Sequence, residues 1–200
     1  MSRDPRIPCA PAGLPAGAPQ DAPLDKAALR KALASRRAAL DPAVKAEWDG
    51  RICHKLVEWW HTVQVPSVAV YWPIRGEPDL AVACDALAGL GVQLALPVVL
   101  QKAAPLSFAE WRFGEDMVKD AMGMVIPAQL RLMEKPAGIV IPCLGFNAAG
   151  FRLGYGGGYY DRTLETQPRP RTVGVAYEFG RVEFASAPYD VALDLVLTEA

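Results

Sequence analysis

The sequence predicts an α/β fold, a single layered domain with a mainly parallel sheet and helices on both faces. Three observations carry this. Apolar runs rich in β-branched residues, SVAVYWP at 67–73, VQLALPVV at 92–99 and GIVIPCLGF at 138–146, read as buried strands. A helical pattern separates the first two runs, and strand, helix, strand in that order is the signature of parallel pairing. The chain of 200 residues, 52% hydrophobic and 22% charged, is long enough to bury one core.

The opening 23 residues, MSRDPRIPCAPAGLPAGAPQDAP, hold six prolines and two glycines and lack the apolar run of a signal peptide. They are expected to form a disordered tail, leaving residues 24–200 as the domain. Asp25 is placed to cap a helix through KAALRKALASRRAAL, with Leu29, Leu33 and Leu40 at helical spacing. Asp41 and Pro42 start a second helix with the apolar stripe Val44, Trp48, Ile52 and Leu56, and the two helices are expected to pack through these faces. After the first strand and the turn IRGE, Pro78 and Asp79 open a third helix that Gly91 closes. Residues 101–136 read less regularly, with a strand around Leu106 to Trp111. A helix begins near Gly158, and strands follow at 172–179 and 194–198. The whole is Rossmann-like. In such sheets ligands bind beyond the carboxyl ends of the strands, where both the IRGE turn and the glycine segment fall.

With 21 basic and 22 acidic side chains, a net charge of -1 provides no field for nucleic acid or an anionic membrane. Nowhere do 18 uninterrupted apolar residues occur. Cys9, Cys53, Cys84 and Cys143 are irregularly spaced and only His54 and His61 could join them, so neither a zinc site nor disulfides are expected. The expectation is a cytoplasmic monomer.

The segment GFRLGYGGGYYDR at 150–162 concentrates the chemistry. Glycines ahead of a helix expose N–H groups that can converge on an anion, and Arg152 offers a donor fork for phosphate. The segment lacks the Gly-Lys-Ser/Thr ending of a P-loop, and Tyr159 stands where a dinucleotide fingerprint needs its third glycine. By spacing alone it reads equally as a strand-to-helix turn or a phosphate cradle. Asp161 suits a magnesium ion or a favourable helix N-terminus; Asp190 and Asp194 suit a metal or a turn. Lys26 and Arg30 share one helix face, and with Lys31, Arg36 and Arg37 nearby they read as a solvated basic stripe unless that face borders the site. Tyr71 and Trp72 point to opposite sides of their strand, so one is available to stack on a flat heterocycle.

The run IVIPCLGFNAAGFRLGYGGGYYDRTL resembles the signature region of the 5-formyltetrahydrofolate cyclo-ligase family, and YWPIRGEPD at 71–79, LSFAEW and DLVLT agree with it in order. The resemblance covers about residues 24–198. It implies ATP- and magnesium-dependent closure of 5-formyltetrahydrofolate to 5,10-methenyltetrahydrofolate, with phosphorylation of the formyl oxygen, attack by N10, and release of ADP and phosphate. It assigns ATP to Lys26, Arg30, Arg152, Leu153, Gly154, Tyr155, Gly156, Gly157, Gly158, Tyr159 and Tyr160. It assigns the folate to Trp72, Glu77 and the loop from Tyr155 to Tyr159, magnesium to Asp161 and Asp194, and the central catalytic roles to Arg152, Tyr159 and Asp161. Two positions depart from the family pattern: Ile126, where glutamate is common, and Gly180, where glutamine is common. An ATP-dependent enzyme for another formylated or folate-like compound, or a non-catalytic nucleotide or folate sensor, are the alternatives.

Overall fold

The computed structural model describes residues 25–120 and 123–200; the predicted tail and Cys9 lie outside them. Helices α1 (Lys26–Ala38) and α2 (Pro42–Val63) precede the strand, helix, strand unit β1 (Ser67–Ala69), α3 (Ala81–Gly89) and β2 (Gln93–Val98). Short strands follow: β3 (Ser107–Glu110), β4 (Met117–Lys119), β5 (Val125–Pro127) and β6 (Leu132–Met133). Next come β7 (Gly138–Pro142), β8 (Gly145–Phe146), β9 (Arg152–Leu153), α4 (Tyr159–Glu165), β10 (Arg171–Val175) and β11 (Leu195–Leu197).

The central sheet runs in the order β11-β10-β7-β1-β2-β3-β6. Its first five strands are mutually parallel, and β3 and β6 add an antiparallel edge. One face is covered by Ile52, Leu56 and Trp59 of α2 and by Ala83 and Leu87 of α3, packed on Val68, Leu94, Val140 and Val173. Leu164 of α4 packs with Ile139, Ile141 and Phe108 on the other face. The sheet therefore has helices on both faces, as predicted. Among the described residues, no helix is long and apolar enough to cross a membrane.

Several local expectations change. Asp41 caps α2 as read, accepting from the Ala43 and Val44 amides at 2.9 and 3.2 Å, but Asp25 makes no side-chain cap bond. The α2 stripe is centred one turn later than predicted, on Ile52, Leu56 and Trp59, and Val44 is exposed. The two leading helices also serve different cores: Leu29 and Leu33 of α1 pack on Leu144, Leu153 and Phe184, away from α2's apolar face.

The first predicted strand pairs only through Ala69, with one further bond from the Val70 amide to Ala95. From there the chain leaves the sheet, so Tyr71 to Glu77 rise above its carboxyl edge. The run at 138–146 breaks at Cys143 into β7 and β8, and β8 pairs with β9 as a separate antiparallel ribbon. That ribbon sets the glycine segment over the same edge, and α1 docks on the ribbon.

Candidate functional site

A cavity of about 600 Å³ opens at this edge, walled by the segment after β1, the glycine loop, the start of α4 and the first turns of α1. Lys26, Arg30, Trp72, Glu77 and every residue from Arg152 to Asp161 line it. The order of the elements explains why. Three stretches distant in sequence each sit just past a strand's carboxyl end or on the helix that covers it.

The loop is shaped by two glycines in the left-handed region, Gly156 (φ 90°) and Gly158 (φ 64°), where a side chain would strain the backbone. Its carbonyls are held from outside: Arg30 Nε donates to Gly154 O at 2.8 Å and Arg162 Nη2 to Gly157 O at 2.7 Å. Among the described residues, the backbone amides from Gly154 to Gly158 donate to no backbone or side-chain acceptor. The loop thus presents donors beside Lys26 and Arg30, which is the chemistry of an anion cradle. Neither a tight turn nor a nucleotide loop was favoured by spacing alone. Cations converging from α1 supply the difference.

Arg152 lines the cavity from beneath the loop. Its guanidinium is nearly buried, with Nη2 on Asp161 Oδ1 at 2.6 Å and Nη1 on the Val191 carbonyl at 3.2 Å. One hydrogen on each terminal nitrogen is thereby engaged, so Arg152 ties Asp161 to the 190s segment while it lines the cavity. Tyr160 is packed under this pair, and burial pushes its phenol well up from the ordinary value. Tyr159 lies at the loop's end with Arg162 over its ring at 5.2 Å.

The expected metal pair Asp161 and Asp194 is not brought together. Asp194 sits at the amino end of β11, where its carboxylate accepts from the Thr172 amide at 2.8 Å and Arg169 at 3.1 Å, and Thr172 Oγ1 accepts from its own amide. It ties the starts of β10 and β11, at the edge opposite the cavity, and does not line it. Asp190 does line it, paired with Lys26 at 2.9 Å. Burial pushes the Asp190 carboxyl up, but the Ala187 amide and Lys26 together hold it below its ordinary value. Asp161 and Asp190 are bridged locally, since the Val191 amide reaches Asp161 Oδ1 at 3.3 Å. Among the described residues, no cluster of three or more histidine, cysteine or acidic side chains forms a metal cage. Two carboxylates beside a loop of free amide donors do fit magnesium, which is commonly held by one or two carboxylates together with substrate phosphates.

On the opposite wall, Tyr71 is buried, its hydroxyl donating to Pro78 O at 2.9 Å, while Trp72 is turned outward and meets Trp111 edge-on at 6.2 Å. Glu77 is buried, and its carboxylate accepts from the Ile74 amide and from Tyr155 Oη, both at 2.9 Å. Burial pushes the Glu77 carboxyl above its ordinary value, against the lowering effect of these donors and of Arg37 and Arg75.

The basic stripe on α1 divides. Lys31 and Arg36 are exposed, whereas Lys26 and Arg30 line the cavity and Arg37 is buried against Tyr155. The signal was available in the phase of the helix: Lys26, Arg30, Leu33 and Arg37 follow one another at steps of four, three and four residues. Ile126 and Gly180, the two departures, are not among the cavity's lining residues. At Gly180 a Cβ would lie 3.0 Å from the Leu144 carbonyl, so a larger side chain there has no room without a shift of backbone.

Comparison with known proteins gives the family and the fold. The model of the 5-formyltetrahydrofolate cyclo-ligase family matches residues 23–199. A 5-formyltetrahydrofolate cyclo-ligase of Mycoplasma pneumoniae is 29% identical over 178 residues, covering 87% of this chain and 98% of that protein. One from Mycolicibacterium smegmatis is 31% identical over 185 residues, covering 86% and 93%. The solved 5,10-methenyltetrahydrofolate synthetase of Mycoplasma pneumoniae superposes with a TM-score of 0.74 at 29% identity, covering 88% of this chain and 100% of that one. The Aquifex aeolicus synthetase, solved by NMR, gives 0.75 at 28% identity, covering 87% and 89%.

Proposed function

Because the chain belongs to the 5-formyltetrahydrofolate cyclo-ligase family, a family of ligases, we propose that it closes 5-formyltetrahydrofolate to 5,10-methenyltetrahydrofolate at the expense of ATP, with magnesium. The observation that carries this reading is the shared cavity. A donor-lined loop flanked by Lys26 and Arg30 faces Trp72 and Glu77 across one space of about 600 Å³, room for a phosphoryl donor and a pterin to meet.

In this reading the formyl oxygen attacks the γ-phosphorus and the bond to ADP breaks. N10 then attacks the activated carbon, the carbon–oxygen bond breaks, phosphate leaves with the former formyl oxygen, and N10 loses its proton. No protein nucleophile is needed; positioning and charge neutralisation do the catalysis. Lys26, Arg30 and the amides of Gly154 to Gly158 hold the phosphates. Trp72 stacks on the pterin, and the Glu77 carboxylate accepts from its N–H groups. Tyr155 and Tyr159 stand between the two substrates on the loop they share. Asp161, fixed by Arg152, would hold magnesium together with Asp190, and the ion would neutralise charge developing on the transferred phosphoryl group.

All of these groups come from one chain, so a monomer suffices. We place the reaction in the cytoplasm, where buried thiols such as Cys53, Cys84 and Cys143 stay reduced.

The folded protein, given 5-formyltetrahydrofolate and Mg-ATP, is expected to generate the near-ultraviolet absorbance of the methenyl product in step with ADP release. Folded protein that gives neither signal overturns the proposal. Tight binding of both ligands without turnover would mark a sensor instead.

A further inference from the structure

Arg37 lies eleven residues beyond Lys26 on α1, in a run of arginines that is otherwise exposed. Only 4% of it is accessible. Its Nε donates to the Arg75 carbonyl at 3.0 Å and its Nη2 donates to Tyr155 Oη. Arg75 itself is held at φ 51°, an uncommon backbone for a residue with a side chain, so the bond to its carbonyl props a strained turn. Tyr155 Oη is in turn 2.9 Å from Glu77 Oε1.

The sense of this chain follows from the chemistry of its first member. A guanidinium has donors and no acceptor, so the Tyr155 oxygen must accept from Arg37. The phenol's single proton is then directed to Glu77. With the Ile74 amide donating to Oε2, both Glu77 oxygens are acceptors, as an ionised carboxylate requires. The groups facing Glu77 are Arg37 from α1, Tyr155 from the glycine loop, Tyr160 from α4, Cys143 beyond β7, and Arg75 and Tyr71 from its own segment. Of these, Arg37 and Arg75 are the cations. Arg37 is the one whose guanidinium hydrogen-bonds into the chain.

We propose that Arg37 is a positioning residue of the cyclo-ligase site: by fixing the sense of the Arg37–Tyr155–Glu77 chain, it presents Glu77 as the acceptor for the pterin and locks the glycine loop to the folate wall. The role in turnover rests on the proposed reaction, whereas the chain of hydrogen bonds is testable without it.

The test follows the Glu77 carboxyl by carbon NMR in the full-length protein, its signal assigned by its loss in Glu77→Gln. Arg37→Gln and Tyr155→Phe are each expected to raise the pKa of Glu77, because each removes a stabiliser of its charge. Arg37→Lys, which keeps a donor and a charge, restores most of the shift, and Arg36→Gln leaves it unchanged. In turnover, the acidic limb of kcat/KM for 5-formyltetrahydrofolate moves to higher pH in the same order. KM for the folate rises about tenfold in Arg37→Gln while kcat changes less than about threefold, the scale of one charge-assisted hydrogen bond. A folded Arg37→Gln whose Glu77 titrates as in the wild type overturns the inference, as does Arg37→Lys behaving no better than Arg37→Gln. If Arg37→Gln does not fold, Tyr155→Phe and Arg37→Lys decide by the same titration. Wild-type protein without turnover would sink the proposed reaction and leave the titration arm standing.

Discussion

Two aspartates four residues apart, Asp190 and Asp194, have opposite situations. Asp190 faces the cavity with Lys26, and Asp194 joins Arg169 and Thr172 at the far edge of the sheet. Their substitutions should separate accordingly. Asp161→Asn is expected to raise the magnesium concentration for half-maximal turnover by about tenfold or more, the usual scale for a lost metal contact or its support. Asp194→Asn should leave that concentration unchanged and cost about 1 kcal/mol of stability through its weakened bonds to Thr172 and Arg169, measured by urea unfolding. Asp190 has a lowered folded pKa, so its charge stabilises the fold above its ordinary pKa of about 3.9 and that stabilisation is lost as pH falls through the lower folded value. Asp190→Asn should therefore flatten the acid side of a Tm against pH curve. An Asp190→Asn curve that is unchanged in shape would count against the Lys26 pairing. Spacing could not tell these two aspartates apart, because both precede a short strand and only β10 pairing decides which one is drawn under the sheet.

The first helix is the element on which the site depends most. It carries Lys26, Arg30 and Arg37 on one side and is anchored by Leu29 and Leu33 on the β8–β9 ribbon. Gly145 in that ribbon makes the close approach possible: a Cβ there would lie 2.8 Å from Leu33 Cδ1 and 3.0 Å from the Gly180 carbonyl. Gly145→Ala is expected to push α1 outward, costing about 1–3 kcal/mol as overpacking does. Its KM for ATP should rise severalfold while the thermal transition stays cooperative. An unaltered KM would argue that Lys26 and Arg30 do not hold the nucleotide. The helix itself was legible in its leucine spacing. Its docking partner was not, because an apolar stripe states that a face is buried and leaves open against what.

At the scale of the whole molecule, one sheet edge collects the residues assigned to the proposed reaction, all of them from Lys26 onward. A chain beginning at residue 24 is expected to fold, with Tm and kcat/KM close to those of the full chain. A large loss of either would assign the tail a part in the domain. The strand runs, their parallel connection and the glycine segment were written in the sequence, because periodicity and backbone freedom are local properties that neighbours in the chain decide. Arg37 read as part of a solvated stripe, and spacing left Asp190 and Asp194 equivalent. Burial, pairing and sidedness depend on which distant segments meet: α1 on the ribbon, the ribbon over the sheet edge, and β11 beside β10. Those meetings place charges in or out of water, so the tertiary structure alone decided which of the legible residues face the cavity.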